Sequence, residues 1–208
     1  MIRRQLLVSA AVLCLVPGLA LAQGATRSAA DTINTFAQEG IVQILEAKIT
    51  QAEKAERFRT LFNKDFDIPA IARFVLGRNW RTAKPEEQEQ FLKVFEDVIV
   101  YTWPRRFSEY NGQTLKVSDT APDGDDGSVV NSRIVGNNAN QSFGVAWRMR
   151  LRPGEGWRVV DVIVDGVSMA ITYRQEYASI IAQQGGMPGL IGQLQTRAKD
   201  LAKQQGAG

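Results

Sequence analysis

The hydrophobic period of this chain changes twice, and those changes restrict the folds open to it more than any other feature. From Ile33 to Phe107 apolar residues recur every three or four positions, which places them on one face of a helix. Between Leu115 and Val164 they alternate singly with polar residues, as on a half-buried strand. Beyond Gly166 the helical spacing returns. Helices, then strands, then helices predict an α+β fold: a curved antiparallel sheet of about four strands, packed on one face against a mostly helical layer. The sheet is expected over residues 113–165, its short strands paired as a meander.

Local signals divide these regions. Ile33, Phe36, Ala37, Ile41, Ile44, Leu45 and Ile49 predict one helix, and Ala55, Phe58, Leu61 and Phe62 a second, shorter one. Asp67 is placed to cap Ile68 to Leu76, with Pro69 in the first turn and Gly77 as the stop. Pro85-Glu86-Glu87 opens the next helix, because proline fits a first turn and carboxylates suit the positive end of the helix dipole. On that helix Leu92, Phe95, Ile99, Trp103 and Phe107 form one stripe, and Phe91, Val94, Val98 and Tyr101 an adjacent one. Together they span over half the circumference, so the helix is expected between two layers, with a kink at Pro104.

In the sheet region Phe143, Val145, Trp147, Met149 and Leu151 alternate with Gly144, Ala146 and three arginines. Trp157 to Asp165 follows after a Pro153-Gly154-Glu155-Gly156 turn, with Val160, Val162 and Val164 predicted on one face and Val159 and Ile163 on the other. Gly185 to Gly189 predicts a break before a last helix, Leu190 to Leu201.

The N-terminus sets the expected compartment. Arg3 and Arg4 precede an apolar run from Leu6 to Leu21, and Ala20-Leu21-Ala22 supplies the small residues of a cleavage site. Residues 1–22 therefore read as a signal peptide, and residues 23–208 as one domain in the periplasm, long enough to bury a core. Cleavage removes the single cysteine and two arginines, lowering the net charge from +3 to +1. Near balance without a Lys/Arg stripe argues against nucleic-acid binding.

The chemistry open to such a chain is narrow. It contains no histidine, which excludes Ser-His-Asp and Cys-His nucleophilic sites and His-based zinc sites. Asp161 and Asp165, four strand residues and about 13 Å apart, are too distant for a glycosidase pair. Asp123-Gly124-Asp125-Asp126-Gly127 has the look of a calcium loop, but the twelfth position is Ile134 where a bidentate acid is required, so a hairpin turn is expected. No metal, cofactor or catalytic group is implied. The enzyme alternative is a lone buried acid in an apolar pocket, Asp161 with Tyr101, of the isomerase kind.

The segment Phe66-Asp67-Ile68-Pro69-Ala70-Ile71-Ala72-Arg73-Phe74-Val75-Leu76-Gly77-Arg78-Asn79-Trp80 resembles a signature of the toluene-tolerance family, the MlaC-type periplasmic phospholipid-binding proteins. Arg105-Arg106-Phe107-Ser108-Glu109-Tyr110, Trp157 to Val162, Asp165 to Met169 and Gly189-Leu190-Ile191 agree in order, so the likeness runs from Asp31 to Ala202. Lys84, where relatives often carry a capping threonine, departs from it.

The resemblance implies a monomeric carrier that holds phospholipid acyl chains in an apolar cavity between sheet and helices. Its implied partners are an inner-membrane ABC transporter complex with an MCE-domain protein and an outer-membrane lipoprotein–porin complex, with outer-membrane lipid asymmetry as the outcome. A hopanoid-associated branch, the HpnM-like proteins, shares the motifs. Physics agrees, since each buried methylene is worth about 0.8 kcal/mol and a carrier needs apolar volume and no chemistry. The expected lipid-contacting residues are Phe74, Val75, Val98, Tyr101, Trp103, Phe107, Val145, Trp147, Met149, Val162, Val164, Val167 and Met169. Arg73, Arg78, Arg81, Arg105 and Arg106 are expected at a headgroup or a partner, because the guanidinium fork suits phosphate and carboxylate.

Overall fold

The computed structural model describes residues 27–106, 112–136 and 142–205. The proposed signal peptide and Phe107 lie outside the described residues. Helix α1 (Ala29–Gly40) runs into a π-helical turn (Ile41–Leu45), and α2 (Gln51–Asp65), α3 (Ile68–Leu76), α4 (Arg78–Thr82) and α5 (Pro85–Arg106) follow. Strands β1 (Thr114–Pro122), β2 (Gly127–Val135), β3 (Phe143–Arg152), β4 (Gly156–Val164) and β5 (Val167–Ser168) come next, and α6 (Met169–Gln183) and α7 (Gly186–Gln205) close the chain. The strands pair in sequence order, each antiparallel to the next. The expected α+β class holds, with a two-residue fifth strand beyond the four anticipated.

Several elements begin where the sequence signals them. Asp67 Oδ1 accepts the Ala70 N–H at 3.0 Å, Pro69 occupies the first turn of α3, and Gly77 ends it at φ 55°. Pro85 opens α5, and Glu87 accepts the Lys84 N–H at 2.8 Å, which satisfies this helix start without a threonine. The helix continues past Pro104 to Arg106.

Other expectations are corrected. The helical spacing to Ile49 breaks at Gly40, and the second helix is the longer, 15 residues against 12. A capping box begins it: Thr50 Oγ1 accepts the Glu53 N–H, and Glu53 Oε2 accepts the Thr50 N–H. The last helix starts at Gly186, because Pro188 falls within its first turn, where it removes no needed donor. Asp165 is a turn residue at φ 46°, past the end of β4, so it shares no strand with Asp161.

The two faces assigned to β4 are also corrected. The β3–β4 register slips by one residue between Arg148 and Met149, pairing Met149 with Val159 but Trp147 with Val162. The bulge returns Val159, 1% exposed, to the core side with Val162. The sheet's helical cover comes from α1 on β1 and β2, and from α2, α3 and α6 on β4. Val98, Ile99 and Val100 are buried, and α5 lies between α7 on one side and α2 and α3 on the other, as its wide apolar surface requires.

Candidate functional site: an apolar cavity between sheet and helices

Between β3–β4 and the helices lies a cavity of about 110 Å³. Phe36 comes from α1, Phe58 and Phe62 from α2, Phe66 from the link to α3, and Ile71 from α3. Phe95, Ile99 and Trp103 come from α5, Trp147, Val160, Asp161 and Val162 from the sheet, and Met169, Ala170 and Tyr173 from α6. Asp161 is its one charged lining residue. Phe36, Phe58, Phe62, Phe95, Ile99 and Trp103 reach it from the apolar positions that helical spacing marks on α1, α2 and α5.

The aromatic wall is interlocked. Phe36 meets Phe66 and Trp147 edge-on, with ring centroids at 5.5 and 5.7 Å, and Phe62 lies 4.3 Å from Phe66. Edge-to-face pairs of this kind add stability beyond their buried area. The Trp147 indole is oriented by polar contacts at its rear: its Nε1 donates to Ser132 Oγ at 3.0 Å, and that hydroxyl donates to the Val145 carbonyl at 2.8 Å. A buried tryptophan N–H needs such a partner.

Asp161, 5% exposed, reaches the cavity wall with its oxygens engaged. Oδ2 accepts the Ser168 hydroxyl at 2.6 Å and Oδ1 the Ala170 N–H at 3.0 Å, while Ser168 Oγ accepts the Ile171 N–H. The carboxylate therefore ties β4 to the N-terminus of α6, a location favourable to negative charge. Tyr101, its suggested partner, is not in the cavity lining; its ring lies 5.8 Å from the Arg59 guanidinium, on the side where Arg59 bonds Glu96 and Asp97 across α2 and α5.

Of the other residues expected to contact lipid, Trp103, Trp147, Val162 and Met169 line the cavity. Val75, Val98, Val145 and Met149 are buried in the core around it, Val164 is half-buried, and Phe74 and Val167 are exposed. Arg73, Arg78 and Arg81 are exposed on α3 and α4, with the Arg73 guanidinium 5.8 Å from the Trp80 ring. Arg105 and Arg106 end α5. The phenylalanines at 36, 58, 62 and 66 escaped selection because helical spacing marks them as apolar without saying whether the space beside them is filled. Among the described residues no cluster of acidic or sulfur ligands could hold a metal ion, and no helix is long and apolar enough to cross a membrane. The Asp123 N–H instead donates to the Gly127 carbonyl at 3.0 Å, closing the β1–β2 hairpin, and its carboxylate accepts from Arg150 of β3 at 2.7 Å, which holds it below the usual range.

The family model described as MlaC protein matches residues 36–196, which include every residue that lines this cavity. The chain belongs to the MlaC family. It is 29% identical over 155 residues to the intermembrane phospholipid transport system binding protein MlaC of Haemophilus influenzae, covering 69% of each chain. It is 27% identical over 120 residues to the toluene tolerance protein ttg2D of Pseudomonas putida, covering 57% of this chain and 55% of that one. Its fold is that of a Ralstonia solanacearum phospholipid-binding protein solved in complex with a phospholipid, at TM-score 0.73 and 24% identity, over 85% of this chain and 99% of that one. The family expected from the signature segment is therefore the family found, and in this MlaC-family chain the cavity between sheet and helices is lined almost wholly by apolar and aromatic side chains.

Proposed function

We propose that this protein is a periplasmic carrier that holds phospholipid acyl chains between its sheet and helices and moves lipid between complexes of the inner and outer membranes. The observation that carries the reading is the cavity itself: fifteen residues from seven elements and a linker converge on one space, and all but Asp161 present apolar or aromatic side chains. Such a lining favours an alkyl chain over water by about 0.8 kcal/mol per methylene. Membership of the MlaC family and the names of its relatives support the same reading. An isomerase reading is not favoured, because Asp161 is committed to Ser168 and Ala170. The ABC transporter complex with its MCE-domain protein and the lipoprotein–porin complex are the partners this reading adopts.

The volume makes a demand on the fold. An apolar cavity of about 150 Å³ takes a single benzene, so about 110 Å³ admits an acyl chain only if the walls part. The interlocked rings on α1, α2 and the α2–α3 link form one wall and α6 the other, and loading separates them.

A fluorescent fatty acid titrated into delipidated protein tests the reading. Wild type binds it and releases it to added phospholipid, whereas Ala170→Trp, which fills the cavity from α6, binds at least tenfold more weakly while keeping its circular dichroism. Equal binding by a folded Ala170→Trp variant would remove the cavity from the account.

A further inference from the structure

A second cleft, of about 450 Å³, lies where the start of the described chain, the end of α2 and the β3–β4 turn meet; Arg27, Lys64, Asp65, Arg152, Glu155 and Trp157 are among its lining residues. It shares no lining residue with the apolar cavity, yet the two are neighbours on both supporting elements. On α2 and its end, Phe62 and Phe66 face the cavity while Lys64 and Asp65 face the cleft. On β4, Trp157 is three residues from Val160, about 10 Å.

Asp65 is the unexplained group. It is 5% exposed, and its Oδ2 is buried with no hydrogen-bond partner. Burial pushes its carboxyl up to about 6, against the lowering influence of Lys64, Arg158 and Arg27, while Glu39 adds to the rise. The surrounding cations are directed elsewhere: Lys64 Nζ to Glu39 at 2.6 Å, Arg152 Nε to Asp67 at 2.7 Å, and Arg158 to Glu155 and the carbonyls of Asn63 and Lys64. A buried carboxylate left without a donor is costly and calls for one. Arg27 and the outer nitrogens of Arg152 leave the same cleft with donors for an anion, and Trp157 supplies an aromatic wall that suits an ammonium.

We propose that this cleft binds a phosphodiester bearing a protonated amine, its phosphate held by Arg27 and Arg152 and its ammonium by Asp65. The ligand is either the headgroup of a carried lipid, a form that rests on the carrier reading, or a free soluble phosphodiester. Because the ammonium requires ionised Asp65, binding strengthens as pH rises through about 6. Glu39 on α1, Lys64 on α2, Arg152 on β3, Glu155 in the turn, Arg158 on β4 and Arg27 are the charges around it.

Calorimetric titration of the delipidated protein with glycerophosphoethanolamine, and with glycerophosphoglycerol as the amine-free comparison, tests this. At pH near 7.5 the amine compound binds about tenfold or more tightly than its comparison, as one charge-assisted hydrogen bond allows, and the preference shrinks toward pH 5. Asp65→Asn abolishes the preference in a protein that still melts cooperatively, and Arg27→Gln weakens both ligands. Absence of amine-compound binding, equal binding of the two compounds, or a preference that survives in Asp65→Asn would overturn the proposal. Lipid-loaded protein that rejects glycerophosphoethanolamine assigns the cleft to the cargo's headgroup, and unchanged binding assigns it to a free phosphodiester. Protein that never carries lipid yet binds the amine compound retains the site while the carrier reading fails.

Discussion

Asp161 illustrates how one residue type supports opposite roles until its neighbours are known. An acid beside an apolar recess suits a general base, but here Ser168 and the Ala170 N–H make it a tether between β4 and α6. Asp161→Ala leaves both donors without their acceptor and is expected to cost about 2–3 kcal/mol, measured by urea denaturation; a change below about 0.5 kcal/mol would refute the tether. Asp65 yields a prediction of opposite sign. Its folded value of about 6 exceeds the ordinary 3.8, so its protonated form favours folding, and that contribution is complete below about pH 4 and lost as pH rises through 6. Wild type therefore loses stability relative to Asp65→Asn across that window, by on the order of 2 kcal/mol, and paired denaturation series at about pH 4 and pH 7 check it. Neither role was legible in the chain, because each depends on donors supplied, or withheld, by residues distant in space. Trp103 and Trp147 were legible as cavity residues because α5 and β3 have the clearest periodicity, and Val162 and Met169 because β4 and the start of α6 follow β3 directly across the sheet.

At the scale of elements, the period switch located the sheet and every long helix, while the errors fell at boundaries set by single hydrogen bonds or insertions. The Thr50–Glu53 box lengthened α2, and the bulge in β4 returned Val159 to the core side. The reading of residues 185–189 as a break shows the physical ambiguity of glycine. Gly189 is helical, and a Cβ there would lie 1.5 Å from the Gln184 carbonyl oxygen, whereas one at Gly192 would meet open space. Gly189→Ala is thus expected to destabilise by about 2–3 kcal/mol through a backbone clash. Gly192→Ala should stabilise by about 0.5–1 kcal/mol, since alanine is the better helix former. Thermal melts of the pair separate these outcomes, and equal shifts would contradict the close α6–α7 elbow.

At the scale of the whole molecule, the closed fold contains an apolar space smaller than its proposed cargo, ringed by side chains from both layers. A protein stabilised only by its own contacts would have every reason to fill that space, since each lining atom facing a void forfeits packing energy. A carrier has reason to leave it, because cargo supplies the missing contacts. Lipid binding then stabilises the folded state by mass action, so the loaded protein should melt above the delipidated one. Mass spectrometry of the protein purified from a bacterial periplasm, first in native form and then after organic extraction, reads directly whether it carries lipid. A phospholipid carrier shows a native mass in excess of the polypeptide that collapses on extraction, with phospholipid recovered at close to one per protein. A native mass equal to the bare chain, with no lipid in the extract, would contradict the carrier reading.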